Sequence, residues 1–201
     1  MIERNSLFNK VIRTIRKRFF WCLYSRKFAY LSRNSTIIKP DYIDGAKNIS
    51  INENVLIANR AWLKAFDDGQ ITIEKNCYLG RNIHLIALGN ILIEESVLIA
   101  DNVYISDNIH EYKDANKPII EQDIVRKGEV KISRGAWIGE NVCIIGAHIG
   151  KNSIVSANSV VLTHVPDYTV VAGNPAKIIK TYCTSTKQWL KYNEKNPSDQ
   201  H

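Results

Sequence analysis

Between residues 136 and 180 the aliphatic positions keep a beat of six. Ile132, Ile138 and Ile144 are followed by Ile149, Val155 and Val161, with one five-residue step between the triplets. A helix repeats near 3.6 residues and an isolated strand every second residue, so a sustained period of six is neither. It fits three short strands per turn of a parallel β-helix, each aliphatic side chain pointing into a prism of triangular section. Four residues after an aliphatic, a small or β-branched residue also points inward: Ala136, Val142, Ser153 and Ser159. Polar pairs such as Glu140-Asn141 and Lys151-Asn152 fill the corners, where Asn and Gly tolerate the left-handed backbone of a tight turn. One repeat buries almost nothing, whereas stacked coils bury a continuous core.

The beat begins weakly near Ile37 and is clear from Ile51. It runs through Ile51, Ile57 and Leu63, then Ile73, Leu79 and Leu85, then Ile93, Ile99 and Ile105. The inward partners are Val55, Ala61, Cys77, Ile83, Val97, Val103 and Ile109. The period breaks after Leu63, Leu85, Ile105 and Ile144, each time after a third repeat. Three repeats make one coil, so every irregularity falls on the same corner of the prism. The outward position before each aliphatic forms columns: Tyr78, Leu98 and Trp137 on one face, and Trp62, His84, Tyr104 and Cys143 on another. Apolar columns of that size call for a cover, and a second copy of the chain is the expected one.

Composition bounds the rest. The chain has 201 residues and net charge +7, enough length for one substantial core. The repeats span residues 37–182, flanked by a segment over 1–36 and another over 183–201. Cys22, Cys77, Cys143 and Cys183 show no CxxC spacing and sit in apolar runs, which reads as reduced thiols in the cytoplasm; Cys77 reads as an inert core thiol. Residues 1–40 carry ten Lys and Arg against one acid, Glu3. There Leu7, Val11, Ile15, Phe19 and Leu23 recur among Lys10, Arg13, Arg16, Lys17 and Arg18, the pattern of a basic amphipathic helix. Its apolar run is too short for a membrane span or a signal peptide. Two readings stay open: a cap on the open end of the solenoid, or contact of residues 1–30 with anionic lipid or a phosphate-bearing lipid-linked sugar. No nucleic-acid-reading motif accompanies the charge. Near the other end, Gln188-Trp189-Leu190 predicts a short helix anchored by Trp189, followed by a polar tail.

The long interruption, residues 106–131, reads SDNIHEYKDANKPIIEQDIVRKGEVK and holds a single histidine, His110. A long loop on a rigid solenoid is a common place for a site. Imidazole titrates near neutrality and can take a proton from a hydroxyl; the plainer alternative is a surface histidine bonded locally. A zinc centre needs converging histidines, and His84, His110 and His148 supply no close pair, so no metal is expected.

The succession ISDNIH, the loop, WIGENVCIIGAHIGKNSIVSANSVV and VPDYTVVAGNPAKIIK resembles the hexapeptide-repeat acetyltransferases over roughly residues 37–182. Within them it is similar to the galactoside, maltose and xenobiotic acetyltransferases and to sugar O-acetyltransferases of bacterial surface-polysaccharide pathways. The resemblance implies an all-β, left-handed parallel β-helix, a homotrimer, and acetyl-CoA in a cleft between subunits. It also implies a catalytic histidine five residues after an inward aliphatic, which is the spacing of Ile105 to His110. His110 would act as general base on an acceptor hydroxyl and then protonate the leaving thiolate. A backbone N–H near Gly139 of a neighbouring subunit would face the oxyanion, and Asp107 or Glu111 would orient the ring.

For the cofactor, the resemblance implies Ala157 beside the pantetheine arm, Gly139 in a coil that meets it, and Lys177 and Lys180 near the nucleotide phosphates. Thr163 stands where a lysine is common in the family, and Glu140 where a small serine is common. On the acceptor side, Gly80 and Leu88 occupy positions where galactoside-type enzymes carry Asn and Asp, so a galactoside or maltose acceptor is not expected. His84 and Tyr104 are the acceptor-side candidates, with Asp107. The expected activity is transfer of acetyl to a sugar hydroxyl in surface-polysaccharide synthesis. The alternatives are N-acetylation of an amino sugar and a non-catalytic scaffold.

Overall fold

The structure is a computed structural model and describes residues 21–192. Most strands are two to four residues long, and they wind into a parallel β-helix with three faces. The first face stacks Tyr30–Leu31, Ile49–Ile51, Gln70–Ile73, Asn90–Ile93 and Val130–Ile132. On the second lie Thr36–Ile37, Leu56–Ile57, Tyr78–Leu79, Leu98–Ile99, Trp137–Ile138, Ile154–Val155 and Thr169–Gly173. The third carries Tyr42–Asp44, Trp62–Ala65, His84–Ala87, Tyr104–Ser106, Cys143–Ile145 and Val160–Val161.

Register explains why six residues suffice for each face. Ile51 pairs with Ile73, Leu79 with Ile99 and then Ile138, and Leu85 with Ile105 and then Ile144, so like stacks on like along the prism. These side chains are fully buried, and close packing of that kind is what a solenoid has in place of a globular core. The inward partners Val55, Ala61, Cys77, Ile83, Val97 and Val103 are buried as expected. Burial pushes the Cys77 thiol up to about 11, as befits an unreactive core group. Asn54, Asn76, Asn82, Asn102, Asn141 and Asn158 all hold positive φ at corners. Their amides bond from coil to coil, Asn82 to Asn102 at 3.0 Å and Asn141 to Asn158 at 3.1 Å.

The three outer surfaces differ in polarity. The first face shows Ser50, Thr72 and Lys131 around Leu92. The second exposes Tyr78, Leu98 and Trp137 in one register column. The third carries a ladder of rings, Tyr42, Trp62, His84 and Tyr104, with centroids 5.1, 5.2 and 6.3 Å apart. At the N-terminal end, Trp21 and buried Phe28 pack against the first coil, and Trp21 Nε1 donates to the Leu31 carbonyl at 2.9 Å. Residues 21–28 thus lie against the first coil, whose first strand is Tyr30–Leu31; most of the amphipathic helix on which the cap and lipid readings rest, residues 1–20, lies outside the described residues. Among the described residues no helix is long and apolar enough to cross a membrane.

Two expectations are corrected. Gln188–Lys191 is a strand, not a helix: Ala176–Cys183 folds back antiparallel on Thr169–Gly173, and Gln188–Lys191 pairs with it in turn. The last parallel strand leaves an open edge of N–H and C=O groups, and pairing satisfies them. Trp189 anchors this hairpin edge-on against Tyr182, centroids 5.3 Å apart. Ile109 does not enter the prism either. The chain leaves the coil at Asp107, and Ile109 lies half-buried in a two-stranded ribbon formed by Asn108–His110 and Ile124–Arg126.

The stacked core carries the stability of this arrangement. Ile99→Ala leaves a cavity between Leu79 and Ile138 and is expected to cost about 2–5 kcal/mol in denaturant unfolding; a loss under about 1 kcal/mol would show that the coils do not depend on like-on-like stacking.

Candidate active site

Every extra-long connection leaves the prism at the corner between the third and first faces, and the ribbon bearing His110 is the largest of them. Asp107 builds its root. This carboxylate is almost fully buried and accepts the backbone N–H of Leu88 at 2.7 Å, that of Gly89 at 2.6 Å, and the Asn108 amide at 2.9 Å. Asn108 also donates to the Ile86 carbonyl at 3.2 Å, and Lys127 N–H donates to the Asp107 carbonyl at 2.8 Å. The ribbon is therefore tied to the preceding coil at both strands. Beyond it, the Gln122 amide holds the loop together through the carbonyls of Asp114 and Lys117, both at 3.0 Å.

His110 sits on this ribbon opposite Ile124, exposed, and its ring makes no hydrogen bond to another described residue. The expected orienting groups are engaged elsewhere. Asp107 is spent on the Leu88-Gly89 turn. Glu111 pairs with Lys113 at 3.0 Å, and that ammonium holds its carboxyl below the usual range.

A second feature lies on the second face. A groove of about 640 Å³ is lined chiefly by Trp137, Gly139, Ile154, Ala157, Lys180 and Trp189. The structure thus brings together three of the five cofactor candidates, Gly139, Ala157 and Lys180. Lys177 lies near the hairpin tip, paired with Ala172, and Thr163 is exposed beyond the Val160–Val161 strand; neither lines the groove. Gly139 is needed for coil packing, since a Cβ there would meet Ala157 N at 2.6 Å and Val155 O at 2.8 Å. Its N–H already donates to Val155 O at 2.8 Å, so it is not free to receive an oxyanion. The next residue, Glu140, has an N–H with no acceptor among the described residues.

The two features face away from each other. The second face is bounded by the other two corners, so the groove and His110 stand on opposite sides of one prism. His84 and Tyr104 belong to the ring ladder on the third face, and line neither the groove nor the ribbon root. One pair escaped sequence reasoning: His148 and His164, with ring centroids 4.4 Å apart, where His164 Nδ1 accepts the His148 N–H at 2.9 Å. Burial, and then the neighbouring His164, push the His148 imidazole below its ordinary value. Their sixteen-residue separation in sequence is one coil, which is the signal that could have found them. No group of three or more potential metal ligands occurs among the described residues.

Comparison with known proteins adds four findings. No protein-family model matches the chain. The lipopolysaccharide biosynthesis O-acetyl transferase WbbJ of Escherichia coli (strain K12) is 36% identical over 167 residues, spanning 79% of this chain and 85% of that protein. AntD, an N-acyltransferase from Bacillus cereus solved with dTDP and 3-hydroxybutyryl-CoA, superposes with a TM-score of 0.68 at 22% identity over 79% of this chain and 86% of that one. The hexapeptide-repeat acetyltransferase VCA0836 of Vibrio cholerae O1 biovar eltor, solved with acetyl-CoA, gives 0.56 at 22% identity over 90% and 92%. At these identities the two structural likenesses are likenesses of fold.

The ribbon's attachment can be tested directly. Asp107→Asn keeps one acceptor oxygen and turns an N–H donor toward a backbone N–H, so it is expected to destabilise the protein by about 1–3 kcal/mol. Hydrogen exchange at the Leu88 and Gly89 amides should accelerate. Unchanged exchange there would show that Asp107 does not hold the ribbon root.

Proposed function

The chain belongs to the hexapeptide-repeat acetyltransferases, and from that premise we propose that it moves acetyl from acetyl-CoA to a sugar hydroxyl, with His110 as general base. The observation that carries this reading is the pairing of an unengaged histidine on a rigid ribbon with an apolar groove on the far face. The groove suits a pantetheine arm: it is mostly hydrocarbon, with the Lys180 ammonium at its edge for a phosphate. Because groove and histidine stand on opposite sides of one chain, the reaction needs a second copy. A homotrimer, with the two apolar faces turned inward and the polar first face outward, meets that need and covers the Tyr78-Leu98-Trp137 column and the ring ladder.

In the assembled site His110 takes the proton of the acceptor hydroxyl as the oxygen attacks the thioester carbon. The tetrahedral oxyanion is received by the free Glu140 N–H of the neighbouring copy, and the imidazolium returns its proton to the departing thiolate. WbbJ is named for lipopolysaccharide biosynthesis, which supports surface-polysaccharide synthesis as the proposed setting. The four free cysteines fit a reaction on the cytoplasmic side. The likeness to AntD keeps N-acylation of an amino sugar as the second reading.

Transfer from labelled acetyl-CoA to a panel of nucleotide sugars and oligosaccharide repeat units tests the proposal. His110→Ala is expected to lower transfer by about 10²–10⁴-fold with acetyl-CoA binding retained. An alkali-labile product marks an ester, an alkali-stable one an amide. Transfer that survives the substitution removes His110 from the chemistry.

A further inference from the structure

At the ribbon root, on the side of the first face, a second groove of about 430 Å³ is lined by Asp68, Gln70, Asn90, Asp107, Arg126 and Glu129 over the backbone of Gly89. Along several columns, stacked polar side chains are bonded from coil to coil: Asn82 to Asn102, Arg81 to Asp101 at 2.7 Å, and Glu94 to Lys131 at 2.7 Å. Here they are not. Gln70 and Asn90 pair in register, and Glu129 precedes Val130, the partner of Ile91, so the three form one column at coil spacing, about 4.8 Å. The side chains of Asp68, Gln70, Asn90 and Glu129 make no hydrogen bond to another described residue.

Arg126 roofs this column. Its Nη2 donates to the Leu88 carbonyl at 3.2 Å, and its stem lies so close over Gly89 that a Cβ there would meet Nε at 3.0 Å. No carboxylate lies within 4 Å of the guanidinium among the described residues, so donors remain for a ligand. Arg126 is paired with Asn108, and His110 with Ile124. Alternate residues of a ribbon share a side, so Arg126 and His110 are diagonal neighbours on one side, about 7–8 Å apart. One bound molecule can touch both.

Unengaged carboxylates, amides and a guanidinium fork are complementary to the vicinal hydroxyls of a sugar, which both donate and accept. The charge balance disfavours an anion. Asp107 is already met by two N–H groups, which leaves Asp68 and Glu129 against Arg126 alone. We infer that this groove is the acceptor subsite, that it takes an uncharged, hydroxyl-rich saccharide, and that Arg126 and Asn90 select it. The inference rests on the acetyltransferase reading for its reaction but not for its binding.

Two readouts separate the two claims. Saturation-transfer NMR without acetyl-CoA would compare neutral hexose and N-acetylhexosamine oligosaccharides with uronate-bearing counterparts and nucleotide sugars, on wild type, Arg126→Ala and Asn90→Ala. Neutral oligosaccharides are expected to bind best, and each variant to weaken them about tenfold or more. In the transfer assay, KM for the acceptor should rise by a similar factor while kcat and KM for acetyl-CoA hold. Binding lost in the variants supports the subsite even if no acetyl is transferred, an outcome that counts against the reaction alone. Transfer with acceptor KM unchanged in both variants overturns the subsite and leaves the reaction standing. Preference for the uronate-bearing glycans or nucleotide sugars, or no neutral glycan bound by wild type, also overturns it.

Discussion

The stacking of each coil on the last, aliphatic over aliphatic, governs everything else in the molecule. Strands only two or three residues long cannot stand alone, and their stability comes from hydrogen bonds and buried side chains supplied one coil away. That dependence enforces register. An additional residue inside a face would turn a buried Ile outward, so insertions can leave only at corners. In this chain they all leave at the same corner, and the longest became the ribbon with His110. The same register writes the outer surface as columns: rings on one face, Tyr78, Leu98 and Trp137 on the next, and a largely polar third surface.

A rigid frame with its chemistry on opposite sides has a specific consequence. The groove beside Gly139 and Ala157 and the root of the ribbon that bears His110 are each held well, yet they stand on opposite sides of the prism within one chain. In the proposed assembly, a second copy does what flexibility within one chain cannot, and the parts it would join are preorganised. The ribbon is bound through Asp107 to the Leu88-Gly89 turn, and the groove floor is backbone packed on backbone; in the proposed trimer the apolar faces would supply the drive to associate.

Much of this was legible in the residue pattern because period and register are one-dimensional. The core columns, the common corner of the interruptions and the place of His110 follow from counting sixes. What escaped depends on contacts between coils, about twenty residues apart in sequence. Asp107 reads as a loop acid near a histidine, and only the position of the Leu88 and Gly89 N–H groups shows it to be a brace. Ile109 keeps the inward spacing but lies just past the point where that brace turns the chain out. Gln188-Trp189-Leu190 has no strong strand signal of its own; the outer edge of Ala176–Cys183 recruits it. A backbone N–H near Gly139 was expected to face the oxyanion; the ladder uses that of Gly139 itself and leaves that of Glu140 beside it.

The central claim is that the reacting groups come from different copies, and subunit complementation tests it most directly. His110→Ala removes the base, and Ala157→Trp fills the groove; each variant alone should be inactive. Co-refolded in equal amounts, they should recover about one quarter of wild-type transfer, the share of sites in a random trimer that receive an intact histidine from one copy and an intact groove from the next. No recovery, from mixed trimers shown to form, would contradict the account and return the reaction to a single chain.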